Sequence, residues 1–207
     1  QKEFLKKLQP KMVEIMEVKP VVLTGRHVRL EPMTEAHIPG LAEIGVGQKF
    51  WDFMVYGRMN SEDDMRQWVL EILSREKNGT DLPFIVIHLA SGRVAGATRY
   101  MNIMPKDRGL EVGGTWYGTE FQRTPVNTES KYLLFTHAFE SLKCIRLQLK
   151  TDLRNERSQK AIERIGAKKE GVLRNHMILP DGRYRDSVYY SILDSEWPKV
   201  KKNLEEM

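Results

Sequence analysis

Alternating and helically spaced apolar positions divide the chain into short elements from Val21 onward. VVLTGRHVRLEPM sets two β-rich runs about Gly25, which predicts a hairpin or bent strand. Thr34 follows as a capping residue whose hydroxyl can accept a first-turn amide hydrogen, with a helix expected through Ala42 and Ile44. SEDDMRQWVLEILSREKNG predicts a second helix. Ser61 caps it, acids fill its first turn, Met65, Trp68 and Ile72 recur at helical spacing, and Gly79 ends it. PFIVIHLA, VAGATRYMNI and LEVGGTWYG then alternate as strands between turns, which reads as an antiparallel meander.

Beyond the meander, a polar loop, EFQRTPVNTES, leads into an amphipathic helix carrying Tyr132, Leu133, Phe135, Ala138 and Phe139. CIRLQLKT is a strand. NERSQKAIERIG is a short helix with Ala161, Ile162 and Ile165 on its apolar face and Gly166 as its stop. GVLRNHMIL and RYRDSVYYSIL flank the turn PDG as a closing hairpin, and DSEWPKVKKNLEE is a last helix. This order predicts one α/β domain with a mixed sheet over 21–207, an antiparallel meander followed by a strand-helix-strand crossover. No G-x-G-x-x-G is present, which argues against a doubly wound dinucleotide fold. Residues 1–20, punctuated by Pro10 and Pro20, read as an N-terminal extension, an appended helix or mobile arm carrying no chemistry.

Charge narrows the function classes. The net charge of +5 is spread among acids, without interleaved aromatics, so a solvated basic surface is expected rather than a nucleic-acid interface. The same excess suits a ligand carrying several phosphates. No apolar run approaches the roughly 20 residues of a membrane span, and no signal peptide or anchor is expected. The single cysteine, Cys144, excludes an intramolecular disulfide, points to a reducing, cytoplasmic setting, and reads as a packed residue at a helix end. No Cys/His cluster has metal-ligand spacing, and His37 and His137 fall in helical segments as structural residues.

The most informative stretch is a strand ending in Trp116-Tyr117-Gly118, then Gln122-Arg123-Thr124-Pro125-Val126-Asn127-Thr128, then a long helix. Unpaired amides and the helix dipole attract phosphate at such a junction. The stretch resembles the pyrophosphate loop of the GNAT superfamily of N-acetyltransferases, written Q/R-x-x-G-x-G/A. It departs from that pattern at Pro125, where glycine is usual, and at Asn127, where Gly or Ala is commoner. Pro125 removes one donor but suits the first position of a helix. Asn155, Ser158, Gly166-Ala167 and Glu170-Gly171 are similar to the RimJ/RimL branch of that superfamily, with its N-x-x-S at a helix start, then G-(F/A) and E-G.

The resemblance implies an acetyl-CoA-dependent transferase acting on a primary amine, a protein or peptide α-amino group first, a small amine in the alternative, or a module that binds coenzyme A without turnover. A homodimer is compatible with it. It further implies coenzyme contacts from Trp116, Tyr117 and the 122–128 loop, and an oxyanion donor among the backbone amides of Thr115 to Tyr117. Asn155 would meet the pantetheine or phosphates, and the Ser158 hydroxyl the coenzyme sulfur. Taken alone, Asn155 and Ser158 are also good capping residues. Two residues compete as general base. Glu111 sits on the fourth strand segment and otherwise reads as a solvent-facing strand-end carboxylate; His176 sits on the sixth and otherwise reads as a satisfied strand histidine. Asp186, after Arg185, reads as a structural hydrogen-bond acceptor. Trp51, Phe53 and Tyr56, between Gly47 and Gly57, form an aromatic loop that either shapes the acceptor site or packs the core.

Overall fold

A computed structural model describes residues 15–207, so most of the predicted extension lies outside the described residues. Of its last residues, Met16 is buried, and its amide donates to the Pro105 carbonyl at 3.1 Å. The first strand segment resolves into β1 (Leu23–Thr24) and β2 (Val28–Pro32), antiparallel about Gly25. A 3-10 turn over Glu35–His37 then leads into α1 (Ile38–Gly45). At this entry the Nδ1 of His37 takes the Thr34 amide hydrogen at 3.0 Å, and the Thr34 hydroxyl lies 3.0 Å from the same nitrogen.

The second helix, α2 (Glu62–Lys77), forms as its capping pattern dictates: Ser61 Oγ accepts the Asp64 amide at 3.1 Å, and Asp64 returns the bond to the amides of Asn60 and Ser61. Met65, Trp68, Val69 and Ile72 make its buried face. Gly79 leaves the helix at φ +72°, where a side chain would be strained.

The meander is β3 (Leu82–His88), β4 (Arg93–Met104) and β5 (Gly109–Tyr117). α3 (Pro125–Thr136) crosses over to β6 (Arg146–Asp152), which lies parallel to β5. Then come α4 (Glu156–Arg164), the hairpin β7 (Lys168–Ile178) and β8 (Tyr184–Leu193), and α5 (Trp197–Glu205). The sheet runs β1-β2-β3-β4-β5-β6-β8-β7, the mixed order expected. α1 packs on β4 and α2 on β3, while α3 packs on β1 and β2. With helices on both faces, β3 is buried almost end to end, which explains its unbroken apolar run.

Two local details differ from the sequence pattern. Leu134 and Phe135, not Leu133, make the buried stripe of α3, because they continue the i, i+4 series from Val126 through Ser130 and Lys131 that runs on to Ala138 and Phe139 in a π-helical turn over His137–Ser141. Glu129 on the first turns of α3 accepts the amides of Arg26, His27 and Val28 at 2.7, 2.7 and 2.8 Å, fastening the first hairpin to this helix.

Candidate active site

The site begins where two parallel strands separate. β5 and β6 pair only at Gly109–Arg146, Leu110–Leu147 and Glu111–Gln148. Beyond Glu111, β5 carries one residue more than β4 between the pairs Arg99–Gly113 and Ala97–Trp116. That extra residue is a β-bulge at Gly114–Thr115, and bulges bend and twist a strand away from its neighbour. Gly114 stands at φ +58°, and a Cβ there would lie 3.0 Å from Arg99 Nε, so both backbone and space select glycine. The opening between the strands is a cleft of about 1950 Å³.

One end of the cleft meets the start of α3. Thr124 Oγ1 accepts the Val126 amide at 3.4 Å and donates to the Phe121 carbonyl at 2.6 Å, which sets the helix entry with Pro125 in its first turn. Among the described residues, the amides of Arg123, Thr124 and Asn127 have no protein acceptor. Arg157 holds Gln122 Oε1 at 3.0 Å, and Arg164 holds Thr128 Oγ1 at 2.8 Å, so α4 brings two guanidinium groups beside the same helix terminus. Free amides, the positive end of a twelve-residue helix and these cations together are chemically suited to a polyphosphate.

The other end is built from side chains on the α1/α2 face. Glu111 is 2% exposed; its Oε2 accepts Asn102 Nδ2 at 2.9 Å and Gln148 Nε2 at 3.0 Å, and Lys150 Nζ lies 3.4 Å from Oε1. It is therefore a buried, fastened carboxylate lining the cleft, not the solvent-facing strand end read from sequence. Arg99, beside the bulge, pairs with Asp81 at 3.0 Å and donates to the Tyr56 hydroxyl. On the opposite face, Lys131 of α3 reaches Thr115 Oγ1 at 2.7 Å, and that hydroxyl lies 2.8 Å from Thr98 Oγ1. Burial without a carboxylate pushes the Lys131 amine down to about 7.

The chain matches the family described as acetyltransferase (GNAT) domain over residues 27–168. It belongs to the GNAT acetyltransferase family. Over 113 residues it is 34% identical to "Putative ribosomal N-acetyltransferase YdaF" of Bacillus subtilis (strain 168), a match spanning 55% of this chain and 61% of that relative. The crystal structure of a GCN5-related N-acetyltransferase from Brucella melitensis superposes with a TM-score of 0.87 at 29% identity, over 96% of this chain and 90% of that one. The crystal structure of a "putative acetyltransferase" from T. thermophilus superposes with a TM-score of 0.84 at 39% identity, over 92% of this chain and 98% of that one.

Within this GNAT cleft, the lining includes Trp116, Tyr117, Gln122, Arg123, Thr124, Pro125, Asn127, Thr128, Asn155 and Ser158. Val126 does not join them: its side chain is buried in the core and its amide is taken by Thr124. The Trp116 indole packs against Phe50, Trp51 and Trp68 with ring centroids 5.1 to 5.8 Å apart, and its backbone pairs with Ala97 of β4, so Trp116 walls the cleft from the core side. Asn155 Oδ1 accepts the Ser158 amide at 3.0 Å, so Asn155 caps α4, while no hydrogen bond engages the Ser158 hydroxyl among the described residues.

His176 is not among the cleft-lining residues. Its Nδ1 lies 2.9 Å from Ser187 Oγ and its Nε2 3.3 Å from the Tyr189 hydroxyl, and burial with Lys150 and Arg185 nearby lowers its pKa. The aromatic loop divides. Trp51 is fully buried with Nε1 bonded to the Gly45 carbonyl at 2.7 Å, whereas Phe53 and Tyr56 line the cleft. Asp186 accepts the Asn175 amide at 2.7 Å, a structural bond. Lys131, Arg99 and Arg185 are site residues that sequence reasoning passed over. Lys131 had a signal, a lysine four residues before Phe135 on the apolar stripe of α3.

Proposed function

We propose that this chain transfers an acetyl group from acetyl-CoA to a primary amine, the α-amino group of a protein or peptide, by direct attack while both substrates are held. The observation that carries this reading is the continuity of one cleft from the amide-rich start of α3, along the unpaired edge of β5, to Glu111. In it the coenzyme pyrophosphate lies against the amides of Arg123 to Asn127, with Asn127 and Thr128 beside it. The thioester lies at the Gly114–Thr115 bulge, where an unpaired backbone amide meets the oxyanion as it forms.

The amine nitrogen attacks the thioester carbonyl, the C–N bond forms, and the C–S bond breaks. Glu111 takes the amine proton through water, and the free Ser158 hydroxyl donates to the departing thiolate. Lys150, Asn102 and Gln148 already engage the Glu111 carboxylate, so it reaches the amine only through water, which favours an acceptor already partly neutral. At pH 7.5 about a third of α-amino groups are neutral, against roughly 0.1% of lysine side chains. Cys144 is buried outside the cleft with its thiol pushed up to about 11, which favours direct attack over an acyl-cysteine intermediate.

Two measurements test the reading together. Acetyl-CoA should raise Tm, since a ligand bound only to the folded state stabilises it, and thiol should be released in the presence of N-terminal peptides. An unchanged Tm at millimolar acetyl-CoA would refute the coenzyme site; a raised Tm without amine-dependent thiol release would leave coenzyme binding without transfer.

A further inference from the structure

Three cations near the acceptor end of the cleft have carboxylate partners. Asp81 holds Arg99 at 3.0 Å, Glu111 lies 3.4 Å from Lys150, and Asp152 holds Arg183 at 3.1 Å. Arg185 has no carboxylate within 4.0 Å among the described residues, yet it is only 6% exposed and lines the cleft. Its Nη1 makes one long contact, 3.4 Å to the Phe53 carbonyl, and its buried Nε has no hydrogen-bond partner. Asp152 and Glu111 act on Arg185 through space without a hydrogen bond, whereas a guanidinium presents five donors in a planar fork that matches a carboxylate, and burying those donors unpaired is costly.

Position adds the second argument. Arg185 precedes Ser187 and Tyr189 at alternating sites on β8, and the β6 partner of Tyr189 is Lys150. It therefore shares a sheet face with Lys150 and Glu111. Phe53, Tyr56 and Met177 supply an apolar lining to the same cleft. The unmatched charge thus stands on the side where, in the acetyl-transfer reading on which this inference rests, the amine enters.

We propose that Arg185 binds a carboxylate carried by the acceptor, so that the preferred substrate is an amine with an acidic group close to the reacting nitrogen. Two sources have this chemistry, a free amino acid and a peptide whose first residue is acidic.

The test compares matched acceptors: glycine against glycinamide for the first source, and Asp-Ala-Ala amide against Asn-Ala-Ala amide for the second. Thiol release from acetyl-CoA is measured with kcat/KM expressed per neutral amine, because the carboxylate also changes the amine pKa. The acidic member of at least one pair should be favoured about 10- to 100-fold, the range for a charge-assisted hydrogen bond. R185Q should bring that ratio close to one, and R185K should keep part of it. Wild-type ratios within about twofold of one in both pairs, or a preference that R185Q retains, would overturn the proposal, and the wild-type ratios decide even where a variant fails to fold. If acetyl-CoA raises Tm but no acceptor releases thiol, acetyl transfer to these amines fails, and the carboxylate is read by binding alone. With coenzyme A present, Asp-Ala-Ala amide or glycine should then raise Tm more than its neutral partner in the wild type, and equal shifts refute the role of Arg185.

Discussion

Replacing Lys131 by methionine removes a titration from the middle of the protein, and the size of the effect follows from its burial. The amine is 6% exposed, has the Thr115 hydroxyl as its hydrogen-bond partner, and is lowered from 10.5 to about 7. In the unfolded chain the same amine stays protonated up to its ordinary pKa. Between pH 7 and 10.5 the unfolded state therefore binds more protons than the folded one, and stability rises with pH across that window. The slope approaches 1.4 kcal/mol per pH unit, which amounts to roughly 3 kcal/mol from pH 7 to pH 10. Methionine has similar length and no charge, and Thr115 keeps Thr98 as a partner. The assay is urea unfolding of wild type and K131M at both pH values, taken as a difference of differences so that other titrating groups cancel. K131M should gain most over the wild type at pH 7, and its advantage should shrink by roughly 3 kcal/mol at pH 10. Parallel pH dependence, within about 0.5 kcal/mol, would refute a neutral buried amine at this position.

Ser158→Ala should lower saturated turnover by roughly 10- to 1000-fold while leaving Tm nearly unchanged, because the cap of α4 is Asn155 Oδ1 and not the Ser158 hydroxyl. A lower Tm with intact turnover would assign Ser158 to structure alone. Asp81→Ala strips a 3%-exposed guanidinium of its partner and should cost about 3–5 kcal/mol in urea unfolding; a loss under about 1 kcal/mol would show that water or Tyr56 already compensates Arg99.

The parts of the fold governed by local chemistry were legible in the sequence. Ser61 with its acidic first turn and Gly79 fixed the ends of α2, and the turns around Gly25 and PDG marked both hairpins. The start of α3 inside the 122–128 loop was legible because the fixed φ of Pro125 suits a first helical position whatever surrounds it. What stayed hidden depends on residues far apart in the chain. Glu111 stayed open between a base and a solvent-facing carboxylate because its partners Gln148 and Lys150 arrive from β6, and nothing near Gly25 announces the Glu129 carboxylate that binds the following amides. His176 kept two readings in the sequence, a base or a satisfied strand histidine. Its neighbours on β8 occupy both ring nitrogens, and no pattern along a single strand reports what faces it across the sheet. Trp51, Phe53 and Tyr56 looked alike in sequence, yet a 3-10 turn over Lys49–Phe53 sends the first inward and leaves the others at the cleft.

The separation of β5 from β6 also changes what kind of molecule can belong to this sheet. An ordinary open sheet has two free edges, both at its periphery; here two more lie in its interior, beyond the Glu111–Gln148 pair. The edge of β6 presents amide hydrogens and carbonyls at the repeat of an extended strand, while the Gly114–Thr115 bulge offsets those of β5. A flexible guest with its own alternating amides can be zipped into that gap as a surrogate strand, while a flat or bulky guest finds no matching rungs. In the acetyl-transfer reading, such a gap would select its guest by backbone as well as by side chain, and substitutions at its two ends would retune what binds there without closing it.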